Sequence, residues 1–257
     1  MHWSGTRASR HLCVAAFIPV VLTATVTSGW NAAKADVSFA LYLGASQTRA
    51  SDLHVVQRGR GNDATLRGVS WPGFPFRFEP YYGFRLTYWN ASHPQTQYVL
   101  DFTHYKIYGK TEDVVEQQGT WRGVAFHDTA PAQNRVQSFE MTHGLNMLGA
   151  SILQQFTAST DGPYAGGGPV LYFPHSENRV DGVAGGDRFD FGGFGFQLHG
   201  GVHECVGATP LFFEFKVNEG KPTVTIAQGY ATTSLTTVHE LAGIEFRRCA
   251  EGIVQRR

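Results

Sequence analysis

Three histidines, His104, His143 and His175, stand at the ends of alternating apolar segments, each with ionisable or phenolic neighbours. Asp101, Lys106 and Tyr108 surround the first, Glu140 precedes the second and Glu177 follows the third. Glu214 and Lys216 sit two apart in an aromatic run, and His239 lies in the last such run. Imidazoles with a carboxylate form a donor set for a redox-active or divalent metal, and either group alone can serve as a general base. Taken singly, each residue also reads as an ordinary hydrogen-bonded rim or loop-start residue. Glu214 with Lys216 reads equally well as a packed ion pair. The chemistry depends on convergence, and convergence depends on the elements that carry these residues.

Those elements are strands. Charged residues make up 16% of the 257, aromatics 13%, and there are 30 glycines. This composition speaks against disorder and against a helical bundle. Lys and Arg (21) balance Asp and Glu (21), so no basic field exists to hold nucleic acid. Eight segments alternate with period two: 39–47, 78–89, 98–108, 142–156, 163–173, 191–203, 211–217 and 236–247. In the seventh, Leu211, Phe213 and Phe215 oppose Glu214 and Lys216. One greasy face and one polar face suit a sheet with two different surroundings. The connections run long, short, long, short, beginning with Thr48 to Arg77, and that rhythm is the mark of an outer-membrane barrel. The expected fold is all-β: an eight-stranded antiparallel transmembrane β-barrel with four long extracellular loops and short periplasmic turns. A soluble sandwich or lipocalin-like barrel is the competing fold. In the membrane orientation His104, Lys106, Tyr108, Glu140, His143, His175, Glu177, Glu214, Lys216 and His239 collect toward the outer rim.

Residues 1–35 read as a secretory signal peptide: Arg7 and Arg10, an apolar stretch from Leu12 to Val26, then Ala33-Lys34-Ala35. Residues 36–257 are the expected barrel, with 248–257 as a C-terminal extension. Cleavage near Ala35 removes three basic residues and no acidic one, leaving a net charge of −3 (18 basic against 21 acidic). Cys13 leaves with the signal. Cys205 and Cys249 remain, and in an oxidising compartment their pairing depends on proximity in the fold. No stretch of 18 apolar residues follows, and there is no dinucleotide loop, P-loop or Gly-x-Ser-x-Gly.

Several blocks resemble the lipid A oxidase family of outer-membrane barrels. They are the run from Pro80 to Trp89, the run from Leu100 to Tyr108, Thr142-His143-Gly144-Leu145-Asn146, and Pro163-Tyr164-Ala165-Gly166-Gly167-Gly168 with Pro174-His175. Phe196-Gln197-Leu198 and Phe213-Glu214-Phe215-Lys216 match weaker blocks, so the resemblance spans roughly residues 39–246 in order. It departs where His143 stands in place of the family's Asp and where the chain runs on past Phe246. The resemblance implies oxidation of the proximal glucosamine of lipid A to 2-aminogluconate, with O2 as acceptor and H2O2 released. Its partner would be lipid A (lipopolysaccharide) in the outer leaflet of the outer membrane, and the barrel is expected to be a monomer. Such a step needs a base for the hydroxyl proton and an electron acceptor, which a histidine-held metal would supply. The expected catalytic residues are His104 and His175 with Asp101 or Glu214. His104, His143 and His175 are the expected metal ligands, and Lys106, Lys216 and Tyr108 the substrate contacts. The alternatives are a non-enzymatic barrel, structural or porin-like, and a lipid A deacylase. For the deacylase, His175-Ser176 is a poor dyad because adjacent strand residues point to opposite faces.

Overall fold

The computed structural model describes residues 36–76, 79–89, 92–93, 95–247 and 249. The expected signal peptide, and all of the C-terminal extension except Cys249, lie outside them. Among the described residues fourteen strands form: β1 (Asp36–Gln57), β2 (Asn62–Trp71), β3 (Tyr82–Trp89), β4 (Thr96–Tyr108), β5 (Val114–Trp121), β6 (Val124–Pro131), β7 (Val136–Gln155), β8 (Gly162–Val180), β9 (Val183–Phe189), β10 (Gly193–Val206), β11 (Thr209–Gly220), β12 (Thr223–Ile226), β13 (Gly229–Thr233) and β14 (Leu235–Phe246). Among the described residues no helix is long and apolar enough to cross a membrane.

Eight of these strands pair in a closed antiparallel circuit, β1-β3-β4-β7-β8-β10-β11-β14, with β14 returning to β1. One register row shows the closure. From Glu245 it runs to Ala40, Arg85, Asp101, Gly149, Val170, Gly195 and Gly220, and reaches β14 again at Leu235. The row has slipped ten residues along β14, the stagger that tilts strands around a closed sheet.

The expectation of eight strands joined by long loops needs correction. The long connections are themselves strands: β2, β5 and β6, β9, and β12 with β13. They extend the sheet beyond the circuit, β1-β2-β5-β6 on one side and β1-β13-β12 on the other, while β9 pairs with the outer end of β8. The physical reason is continued alternation of apolar residues. Leu53 and Val55 carry β1 on, and Leu66, Val69, Val115, Val224, Ile226 and Ala231 bury with them in one cluster. Two tight turns close the hairpins. Arg122-Gly123 and Asp181-Gly182 have left-handed backbone at both positions, the form that matches strand twist in a two-residue loop. This extension is called the cap below.

The two regions face their surroundings in opposite senses. Along the circuit, Phe215 is 64% exposed, whereas Glu214 and Lys216 are 2% and 0% exposed. Likewise Phe196 and Leu198 face out around buried Gln197, and Leu86 and Tyr88 face out around buried Thr87. In the cap Asp63 and Arg67 face out while Ala64 and Leu66 face in. At the end of the circuit away from the cap, Arg247 bonds Glu245 and Asp161 (2.7 and 2.8 Å), and Cys205 is disulfide-bonded to Cys249.

Candidate functional site

The expected site residues divide between the enclosed lumen and the outer surface. Asp101, Glu214 and Lys216 meet in the lumen, because their strands present them on the same face as Tyr42, Thr103 and Gln197. Arg85 donates two hydrogen bonds to Glu214 (2.8 and 2.7 Å), and Tyr164 donates a third (2.8 Å). Lys216 donates to Asp101 (2.6 Å) and Thr103 (2.8 Å), and the Tyr42 hydroxyl bonds Thr103 (2.7 Å). Gln197 bridges the two groups by donating to Asp101 (2.9 Å) and Ser151 (3.1 Å). Buried charges matched in this way are costly to break singly.

Ser151, His199 and Glu214 form a line within this network: Ser151 Oγ to His199 Nε2 is 3.1 Å, and His199 Nδ1 to Glu214 Oε1 is 3.0 Å. The carboxylate can only accept, so Nδ1 carries a proton, and in a neutral ring Nε2 would accept from the serine. That is the order of a nucleophilic triad. All three groups are buried, and Gln197 and Arg85 hold the two ends of the line. Sequence reading missed Arg85, Ser151 and His199. Arg85 was detectable, as a lone cation on the polar face of an otherwise aromatic strand.

His104 lies on the other side of the wall. Asp101 and His104 stand three apart in one strand, so they point to opposite faces unless a bulge intervenes. The register slip in β4 falls between Tyr105 and Ile107, after His104, so the two residues keep opposite faces. The His104 ring stacks on Tyr82 (centroids 4.7 Å apart), and its Nδ1 bonds Asn146 (2.8 Å). Lys106 pairs with Glu79 (3.3 Å), and the Tyr108 ring packs edge-on to Phe74 (5.1 Å). Tyr108 also lines a cleft of mixed polar and apolar walls with Ser46, Thr48, Trp71, Phe74 and Glu140.

His143 and His175 do meet. Their rings stand 4.7 Å apart, edge to face, and His143 Nδ1 lies 3.0 Å from Glu177 Oε1. One donor atom from each of His143, His175 and Glu177 falls within 4.8 Å of the others, a three-donor group able to hold a metal ion. His175 is buried and its Nδ1 has no hydrogen-bond partner; its Nε2 is 3.9 Å from Asp187. Of the expected ligand set, then, two histidines come together and His104 sits apart, hydrogen-bonded to Asn146. Glu177, rather than Asp101 or Glu214, is the carboxylate beside them.

At the tip of the cap, Asp181 receives hydrogen bonds from Arg60 (2.7 Å) and Arg122 (2.6 Å), tying three hairpin ends together. Burial pushes the Asp181 carboxyl up, but the two guanidiniums outweigh it and hold the group below the usual carboxylate range.

No family model and no curated protein matches the sequence, so the resemblance to lipid A oxidases rests on the sequence blocks alone. Solved structures with a similar arrangement include Neisserial surface protein A, at 16% identity over 82% of this chain and 97% of that one, with a TM-score of 0.41. The outer membrane protein OprG from Pseudomonas aeruginosa is 11% identical over 84% and 97% of the two chains, with a TM-score of 0.38. The outer membrane protein AlkL, solved in DMPC bilayers, is 14% identical over 88% and 97%, with a TM-score of 0.42. Likenesses this distant leave the chain's own two surfaces to say what it is.

Proposed function

We propose that the chain is an outer-membrane β-barrel that conducts nothing and holds a folded cap at the cell surface. The observation that carries this reading is the reversal of faces between circuit and cap. Aromatic and aliphatic side chains clothe the outside of the circuit, and ion pairs cross its inside beside buried aromatics; the cap buries an apolar core and turns most of its charges outward. A protein wholly in water has no use for the first arrangement, whereas a lipid-facing wall requires it. On this reading eight strands span the membrane, the cap lies outside, and residues 1–35 are removed near Ala35. The closed circuit leaves no spanning strand with an unpaired edge, which supports a monomer.

The lumen speaks against a pore. Arg85, Glu214, Tyr164, Lys216 and Asp101 cross-link its walls, so a structural surface protein fits better than a porin. Reconstitution in a planar bilayer tests this: the purified chain should give no stepwise conductance, and open steps would overturn the closed-lumen reading.

A second reading, modification of lipid A, is favoured by one observation. His143, His175 and Glu177 gather on the outer surface where circuit passes into cap, the level at which an outer-leaflet sugar would lie. Oxidation there would use O2 and leave the lumen residues as framework. Mass spectrometry of lipid A from cells with and without the protein, grown in air, decides it. A gain of one oxygen on the proximal unit supports the oxidase, loss of an acyl chain a deacylase, and unchanged lipid A leaves the structural barrel.

A further inference from the structure

We infer that His143, His175 and Glu177 form a binding site for one divalent transition-metal ion on the outer surface. The inference concerns binding and stands whether or not the chain modifies lipid A. His175 and Glu177 are two apart on β8 and so share a face. His143 reaches them from β7 only because β7 leaves register with β8 between Glu140 and Leu145. Such bulges re-aim side chains. This one is fixed from beneath: Gly144 has φ +100°, and a Cβ there would overlap the His104 ring. His104, locked by Asn146 and Tyr82, is thus a positioning residue for His143.

The group has the properties of a site rather than of a surface ion pair. His175 offers a buried Nδ1 with no partner, the kind of group that calls for an explanation. Its ring is held edge-on by Phe189 (4.7 Å), so its direction is set before anything binds. The surroundings supply two further contacts: Thr142 Oγ1 at 3.4 Å from His143 Nδ1, and Asp187 at 3.9 Å from His175 Nε2. Asp187 is itself the bulged residue of β9 and stands in solvent as a further carboxylate. Two imidazoles and a carboxylate suit zinc, cobalt, nickel or iron rather than calcium or magnesium, which take oxygen ligands. Two other histidine–carboxylate pairs, His54–Asp63 (2.8 Å) and His127–Glu116 (3.0 Å), have the same chemistry without a third donor and serve as internal controls.

The test is calorimetric titration of the full-length chain, folded in detergent, with Zn2+, and the visible spectrum of the same sample with Co2+. One ion should bind per chain. His143→Ala and Glu177→Gln should each weaken binding by about ten-fold or more, at least the loss that follows removal of a partner hydrogen-bonded to a metal ligand. His127→Ala should leave it unchanged. His143 and Glu177 stand partly in solvent, so both variants should keep the heat-modifiable mobility of a folded barrel. Ca2+ should not compete. Absence of stoichiometric Zn2+ binding by the folded parent chain would overturn the inference. So would equal loss on His127→Ala, which would mean scattered surface histidines only.

Discussion

The circuit and the cap are both antiparallel sheet, yet each is the other turned inside out. β1 passes through both. In the circuit its outward residues are Val37, Phe39, Leu41 and Leu43; in the cap its inward residues are Leu53 and Val55, with Arg49 and Asp52 outside. The hydrophobic effect buries apolar surface away from water, so a strand that changes sense along its length reports a change of surroundings. One chain therefore carries two packing problems. The cap solves the ordinary one with a shared apolar core. The circuit, with lipid outside on our reading, solves the reverse by pairing charges in a narrow interior.

Breaking the lumen network should have the largest effect. Glu214→Ala leaves Arg85 buried without its carboxylate and should cost about 3–5 kcal/mol, read as a lower urea midpoint for the folded barrel. Replacing both partners, Arg85→Met with Glu214→Leu, should recover most of that loss. Next comes the cap core: Leu66→Ala should cost about 2–5 kcal/mol. Its signature should be local, with protease cutting the cap while the heat-modifiable barrel survives. A matched pair of arginines then sharpens the contrast. Phe196→Arg on the circuit wall should cost about 2–4 kcal/mol. Val124→Arg, on an exposed cap position, should change stability by no more than about 0.5 kcal/mol. Equal costs for the two would mean that both walls face water.

The smallest expected effect is one of pH. Because Asp181 is held below the usual carboxylate value, its bonds to Arg60 and Arg122 stabilise the tip fully above about pH 4. That contribution is lost as pH falls further, through the lowered value. Protection factors at the three tied hairpins, corrected for the intrinsic exchange rate, should therefore fall in acid, and Asp181→Asn should remove the dependence.

The eight circuit strands were legible because lipid-type alternation is strong. Tyr82, Phe84, Leu86 and Tyr88 face out in β3 as their spacing implies. The cap was passed over because its strands are rich in polar residues and several of them, such as β12 and β13, are short. The Asp181-Gly182 turn, a standard hairpin signal, was nonetheless present in the sequence. The site was half legible. His143 and His175 are distant in sequence and meet through a bulge, which no periodicity announces. His104 looked like their partner because all three histidines lie at one level. Level does not decide face, and one residue of parity sends Asp101 into the lumen and His104 to the outside.

The reversal of faces is tested most directly by cysteine accessibility in intact cells. Leu100→Cys and Phe196→Cys probe the circuit wall, Arg67→Cys and Val124→Cys the cap, each treated with a membrane-impermeant maleimide. The expected result is rapid labelling at the two cap positions and protection at the two wall positions, whose side chains are just as open in the bare fold. Labelling of Leu100→Cys and Phe196→Cys as fast as the cap positions would contradict a lipid-facing wall.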